Sequence, residues 1–126
     1  MAMARVYTRM LAIRNQYPGL RSTNIYPRFQ EDWQSQFSAA GFGVDTARQV
    51  MIFHRWGPST TGTLQRFYIV LNFSPQPQWV RVPFPANGPW TDLLANFDGS
   101  WTPDVVDYHL DLQVGSNWGL VFFREG

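Results

Sequence analysis

The chain has 126 residues, with ten Lys and Arg against nine Asp and Glu, two His and a formal net charge of +1. Its 44% apolar and 15% charged residues belong to a folding chain, and one domain of this length buries roughly two-thirds of its unfolded surface. The scattered basic residues exclude a nucleic-acid footprint and a basic membrane-surface stretch, and the absence of cysteine excludes disulfides, thiolate metal sites and a Cys nucleophile.

No apolar run approaches the roughly 18 residues of a membrane span, and the start, MAMARVYTRM, lacks the apolar core of a signal peptide. A cysteine-free chain fits the cytoplasm, although such a domain can also be secreted. Aromatic residues reach 17%, with six Trp and ten Phe, which suits a β-rich fold.

One segment reads as a helix. In MARVYTRMLAIRNQYPG, Met3, Val6, Tyr7, Met10, Leu11, Ile13 and Tyr17 recur at three- and four-residue spacings, and Pro18-Gly19 ends the run. An apolar stripe this wide needs a partner surface. Residues 28–49 carry Trp33, Phe37 and Phe42 without a sustained period, and read as a long loop with at most one helical turn.

From Val50 the pattern becomes β. VMIFHRW alternates up to Gly57-Pro58, and STTGT is a turn. LQRFYIVLNF is a strongly apolar, β-branched and aromatic run typical of a central strand. WVRVPFP, with Pro83 and Pro85, reads as an edge strand. Asn87-Gly88 signals a tight hairpin that would pair PWTDLLANF back onto it, and Asp98-Gly99 a second turn. That register sends Val80, Val82 and Phe84 to one face and makes Trp90 a core residue. In VVDYHLDLQV, alternation places Val106, Tyr108, Leu110, Leu112 and Val114 on one face and Asp107, His109, Asp111 and Gln113 on the other. Gly115-Ser116-Asn117 turns the chain into the closing strand WGLVFFRE. The expected fold is all-β: an antiparallel β-sandwich preceded by one N-terminal α-helix. Residues 1–18 form the helix, 19–49 an irregular connection and 50–126 the sandwich.

Catalytic signatures do not emerge. A glycosidase site needs two carboxylates facing one cleft. The trio Asp107, His109 and Asp111 reads as the solvated face of an amphipathic strand, and His54 as a partly buried strand residue. No phosphate loop, paired-histidine spacing or nucleophile elbow occurs. The chain reads as neither an enzyme nor a cofactor or metal binder. Stacking on a sugar needs a flat ring open to solvent beside amides or carboxylates. Trp33 near Glu31 and Asp32, Trp56 at its strand end and Trp101 near Asp98 are the candidates.

Several stretches resemble one family. LAIRNQYPGLR, through Leu11, Ile13, Arg14, Pro18, Gly19, Leu20 and Arg21, is similar to the end of the last barrel helix of α-amylase-type glycoside hydrolases and the turn into their C-terminal all-β domain. VMIFHRWG, with Arg55, FYIVLNFS, ending Asn72-Phe73-Ser74, PWTDLLANFDG and LDLQVGSNWGLVFFRE resemble that domain's strands in order. The resemblance implies a non-catalytic domain of a hydrolase acting on α-glucan or related saccharides. The family's two Asp and one Glu would lie in a barrel preceding residue 1. It implies that barrel as partner, with Met3, Val6, Tyr7, Met10 and Tyr17 at the interface and self-association through the helix face when the barrel is absent. An α-glucan is a further expected partner, and free-standing protein interaction another reading. Residues 28–49 depart from the family pattern.

Overall fold

The computed structural model describes Thr8 and residues 11–12, 14–15, 17–21, 24–26, 37, 41–93, 102–116 and 118–125. Thr8, Leu11, Ala12, Arg14 and Asn15 have helical backbone and Tyr17 does not, while the other residues of the helix expected over 1–18, Pro18 apart, lie outside the described residues. A 3-10 turn, Pro18–Arg21, follows.

The described part is antiparallel β. Strand β1 is Ile25–Tyr26, β2 Gly43–Asp45, β3 Val50–Pro58, β4 Leu64–Asn72 and β5 Gln78–Pro83. Then come β6 at Gly88–Pro89, β7 at Thr91–Asp92, β8 at Asp104–Val105, β9 at His109–Val114 and β10 at Trp118–Glu125. A six-stranded sheet runs β1-β3-β4-β10-β7, with β2 also on β3, while β5 pairs β9 and β6 pairs β8. β-structure thus begins before residue 50, because β1 and β2 share the outer edge of β3.

The long apolar run of β4 is explained by its position. Tyr68 and Val70 join Val50, Ile52, Val80, Val82, Phe84, Trp90, Val105, Val114, Leu120 and Phe122 in the main core, shared by the large sheet and the two small ones. Phe67 and Ile69 point the other way and pack with Leu93 and Val121, joined at the rim by Tyr17, Phe53, Leu71 and Phe123. A strand covered on both faces has no use for polar alternation. Trp90 is fully buried in the main core, its Nε1–H donating to the carbonyl of Ala86 at 3.1 Å. Phe84 lies 5.0 Å from its ring and Tyr68 meets it edge-on at 5.3 Å.

Two buried polar residues tie strands together, Asn72 across the layers and Asp92 within the large sheet. Asn72 is fully buried; its Nδ2 donates to the carbonyls of Gln76, Val114 and Gly115 at 2.9, 3.0 and 3.1 Å, and its Oδ1 accepts from the Ser74 amide at 2.9 Å. The Asn-Phe-Ser ending of the central strand is therefore a corner clamp. Asp92, also buried, accepts from the Val121 amide at 3.1 Å.

Three sequence expectations are corrected. Asn87-Gly88 does not form a two-residue hairpin, because Gly88–Pro89 pairs with Asp104–Val105 and β7 pairs with β10. Pro83, Pro85 and Pro89 lack the N–H groups that such a hairpin ladder would need. Asn87 instead uses its Oδ1 to accept the Tyr108 amide at 2.7 Å. The strand expected from Val105 starts only at His109, because Asp107 (φ 56°) and Tyr108 (φ 62°) form a left-handed turn. Val106 and Tyr108 consequently leave the face they were expected to share with Leu110, Leu112 and Val114, and are 60% and 57% exposed. The Asp98-Gly99 turn lies outside the described residues.

Candidate functional site

Two surfaces carry the chemistry that a domain of this kind could use. The first is the face of the large sheet opposite the main core, where the N-terminal segment lands. Tyr17 packs edge-on against Phe67, with ring centroids 5.8 Å apart, and tilted on Phe123 at 4.7 Å. Gly19 is buried, and its amide donates to Oε1 of the buried Gln65 at 3.0 Å. A Cβ at this glycine would sit 2.8 Å from the Gly57 carbonyl oxygen and 2.9 Å from Cβ of Gln65, so only glycine permits so close an approach. Gln65 also donates through Nε2 to Glu125 at 3.3 Å. The Pro18-Gly19 stop is thus a fixed joint between the preceding segment and β3 and β4. Arg55 rises from the same face, its guanidinium pKa lowered by burial and then by the charge of Arg14.

Of the expected interface residues, Tyr17 is half-buried on this face, while Met3, Val6, Tyr7 and Met10 lie outside the described residues. Of the sugar-stacking candidates, Trp33 and Trp101 lie outside them too. Trp56 is half-buried, with one side of its indole stacked on His54 at 5.1 Å and 27°. His54 in turn lies parallel to Tyr68 at 4.8 Å and 6° and close to Tyr26 and Phe42. Burial among these rings lowers its pKa from 6.5 to about 4, so it is a neutral packing residue near neutral pH.

The second surface is the outward face of the β5–β9 pair. Val80 and Val82 face the core, so Trp79 and Arg81 face solvent, opposite Gln113 and Asp111. Arg81 grips Asp111 with two bonds, Nε at 2.8 Å and Nη2 at 3.2 Å, and His109 Nε2 approaches the same carboxylate at 3.4 Å. The Arg81 hydrogen bonds hold the Asp111 pKa below its ordinary value. Arg48, turned toward Asp45 at 2.7 Å, donates through Nη1 to the Trp79 carbonyl at 2.6 Å. Between these groups lies a shallow groove of about 290 Å³, lined by Trp79, Arg48, Arg81 and His109 with Phe37 and Pro83. Asp107, in the left-handed turn, is not part of it: only its carbonyl is used, 3.0 Å from His109 Nδ1. The expected Asp107–His109–Asp111 face is therefore broken, and its surviving members serve Arg81. Among the described residues, no three His, Cys, Asp or Glu side chains gather as a metal site.

Neither Trp79 nor Arg81 emerged as a site candidate from sequence. The available signal was the alternation of WVRV, which with Val80 and Val82 inward requires both to point outward.

The sequence model for the α-amylase C-terminal all-β domain matches residues 43–124. The chain belongs to this family. The match begins at β2 and ends within β10, so it takes in both small sheets and the clamp at Asn72. It starts beyond most of residues 28–49, the stretch that departs from the family pattern. A comparison with curated protein sequences finds no match. A domain of this kind is a non-catalytic part of an amylase-type enzyme.

Proposed function

We propose that the chain is the non-catalytic C-terminal domain of an α-amylase-type glycoside hydrolase, and that it packs on and stabilises a catalytic barrel joined through its N-terminal segment. In this reading residues 1–18 continue the last barrel helix, and Met3, Val6, Tyr7, Met10 and Tyr17 face the barrel. The observation that carries it is the joint at Gly19. A segment held by a buried backbone bond and by Tyr17 against Phe67 and Phe123 fixes the orientation of whatever precedes it, which a loose tether would not do. Domains of this family pack against the catalytic domain of α-amylases, and the apolar second face of the sheet suits that role.

The test is a fusion. An α-amylase catalytic barrel stripped of its own C-terminal domain is joined upstream of this chain, and its unfolding is followed by calorimetry and by residual starch hydrolysis after heating. The expected result is a barrel that unfolds several degrees higher than the barrel alone, with the gain lost when Gly19 is replaced by Val. Independent unfolding of the two parts, with the barrel midpoint unchanged, overturns the reading.

A further inference from the structure

We propose that the outward face of the β5–β9 pair is a binding site for a neutral saccharide, with the Trp79 indole as the stacking platform. The inference does not depend on barrel packing and concerns residues on a different sheet.

Four observations converge on it. Trp79 is 64% exposed, the most open of the large apolar side chains among the described residues, although its strand neighbours Val80 and Val82 are buried. A ring of that size left in water beside a groove is a standing platform for the apolar C–H face of a pyranose. Its strand position is fixed rather than loose, since Arg48 holds its carbonyl at 2.6 Å and β9 holds its other side. The flanking groups are of the required kind: Asp111 and Arg81 form a planar bidentate pair, and His109, two residues along β9 and opposite Pro83, approaches the same carboxylate at 3.4 Å. Such a fork offers donors and acceptors in one plane, which suits adjacent sugar hydroxyls.

Charge decides between a neutral and an anionic ligand. Two arginines line the groove, which alone would suit a phosphate. Each already faces a carboxylate, Arg48 with Asp45 at 2.7 Å and Arg81 with Asp111 at 2.8 Å. The groove therefore presents hydrogen-bonding groups with little net charge, and an anion would have to displace a carboxylate or leave it uncompensated. A neutral polyol meets neither obstacle.

The site differs from the Trp56 candidate, whose ring has one side occupied by His54. It is shallow, so affinity on the order of 1 mM is expected, with selectivity from the ring stack rather than from enclosure.

The test uses the 126-residue chain, isotope-labelled for NMR and titrated with maltoheptaose, with cellopentaose and with inorganic phosphate. The expected result is saturable shift changes with a saccharide, centred on the Trp79 indole N–H and on the amides of Arg81, Asp111 and Gln113. Trp79→Ala is expected to weaken binding at least tenfold, and Arg81→Lys, which keeps the charge but loses the fork, severalfold. Both positions are solvent-facing, so melting temperatures within a few degrees of the parent chain show that the fold survives. Absence of shifts at 10-fold above the expected midpoint (~10 mM) with every saccharide overturns the proposal. So do shifts centred elsewhere, binding unaffected by Trp79→Ala, or a response to phosphate alone. A response to maltoheptaose but not cellopentaose assigns an α-glucan, the reverse a β-glucan, and both outcomes support the site.

Discussion

Replacing Asn72 by Ala removes the polar centre of the corner where β4, the 73–77 loop and the β9–β10 turn meet. The amide group serves three carbonyls with two protons and accepts one amide, at distances between 2.9 and 3.1 Å. The carbonyls of Gln76 and Gly115 sit on exposed residues and can turn to water after the substitution. The Val114 carbonyl keeps its place opposite Gln78 in the β5–β9 ladder, whereas the Ser74 amide is bonded in buried surroundings and loses its partner outright. A buried group deprived of its partner costs ~1–3 kcal/mol, so the substitution is expected to cost about 1–3 kcal/mol. That is a large share of the 5–15 kcal/mol that holds a typical domain together. Urea unfolding followed by far-UV circular dichroism and tryptophan fluorescence measures it, provided that the two probes coincide. Asn72→Asp is expected to be at least as damaging, because it sets a carboxylate against three carbonyl oxygens. A loss below about 1 kcal/mol for Asn72→Ala, with an unchanged slope, would show that the corner is held by strand pairing and that the clamp is incidental.

Three further outcomes follow from the same geometry. Gly19→Ala is expected to destabilise by roughly 1–3 kcal/mol in urea titration, because its Cβ meets the Gly57 carbonyl at 2.8 Å and neither backbone can give way easily. Stability should fall on acidification through His54. Its folded pKa of about 4 lies below the ordinary 6.5, so the folded form binds fewer protons between those values; the stability is level above pH 6.5 and declines toward pH 4. After allowance for partial exposure the loss is at most about 2 kcal/mol, and a His54→Phe variant whose urea midpoint declines just as steeply would assign it elsewhere. The double substitution Asp107→Asn with Tyr108→Gly is expected to stabilise by about 1 kcal/mol, since both positions have φ near +60°; an unchanged or lower thermal midpoint would contradict it.

Much of this fold was legible because local chemistry and final position agree. β3, β4 and β10 fall where alternation or a strongly apolar run placed them, and Trp90 is in the core as its surroundings implied. The failures have a common cause. Asn87-Gly88 carries the strongest hairpin signal in the chain, yet the prolines around it remove ladder donors, and its asparagine is recruited by Tyr108 twenty-one residues away. The turn at Asp107-Tyr108 has no glycine to announce it; non-local pairing of β5 with β9 forces it. The candidate groove was half legible. Alternation puts Trp79 and Arg81 outward, but only the β5–β9 register sets Arg81 against Asp111 and brings Arg48 across to the Trp79 carbonyl. Strand patterns tell which way a residue points, and register tells what it meets.

The place of β10 has a consequence for how the chain comes into being. This strand lies between β4 and β7, and its Trp118–Glu125 residues pair with nearly the whole of β4. A ribosome delivers β3 and β4 first, and the hairpin they form holds the rings of Phe67 and Tyr68 along an unfilled edge until Glu125 has emerged. Some fifty residues separate the two partners, so closure of the sheet waits on a slow long-range search while an adhesive strand stands open. The interval between translation of Asn72 and of Glu125 is therefore when this polypeptide is most in need of a chaperone, and a pause in synthesis there would lengthen its exposure to aggregation.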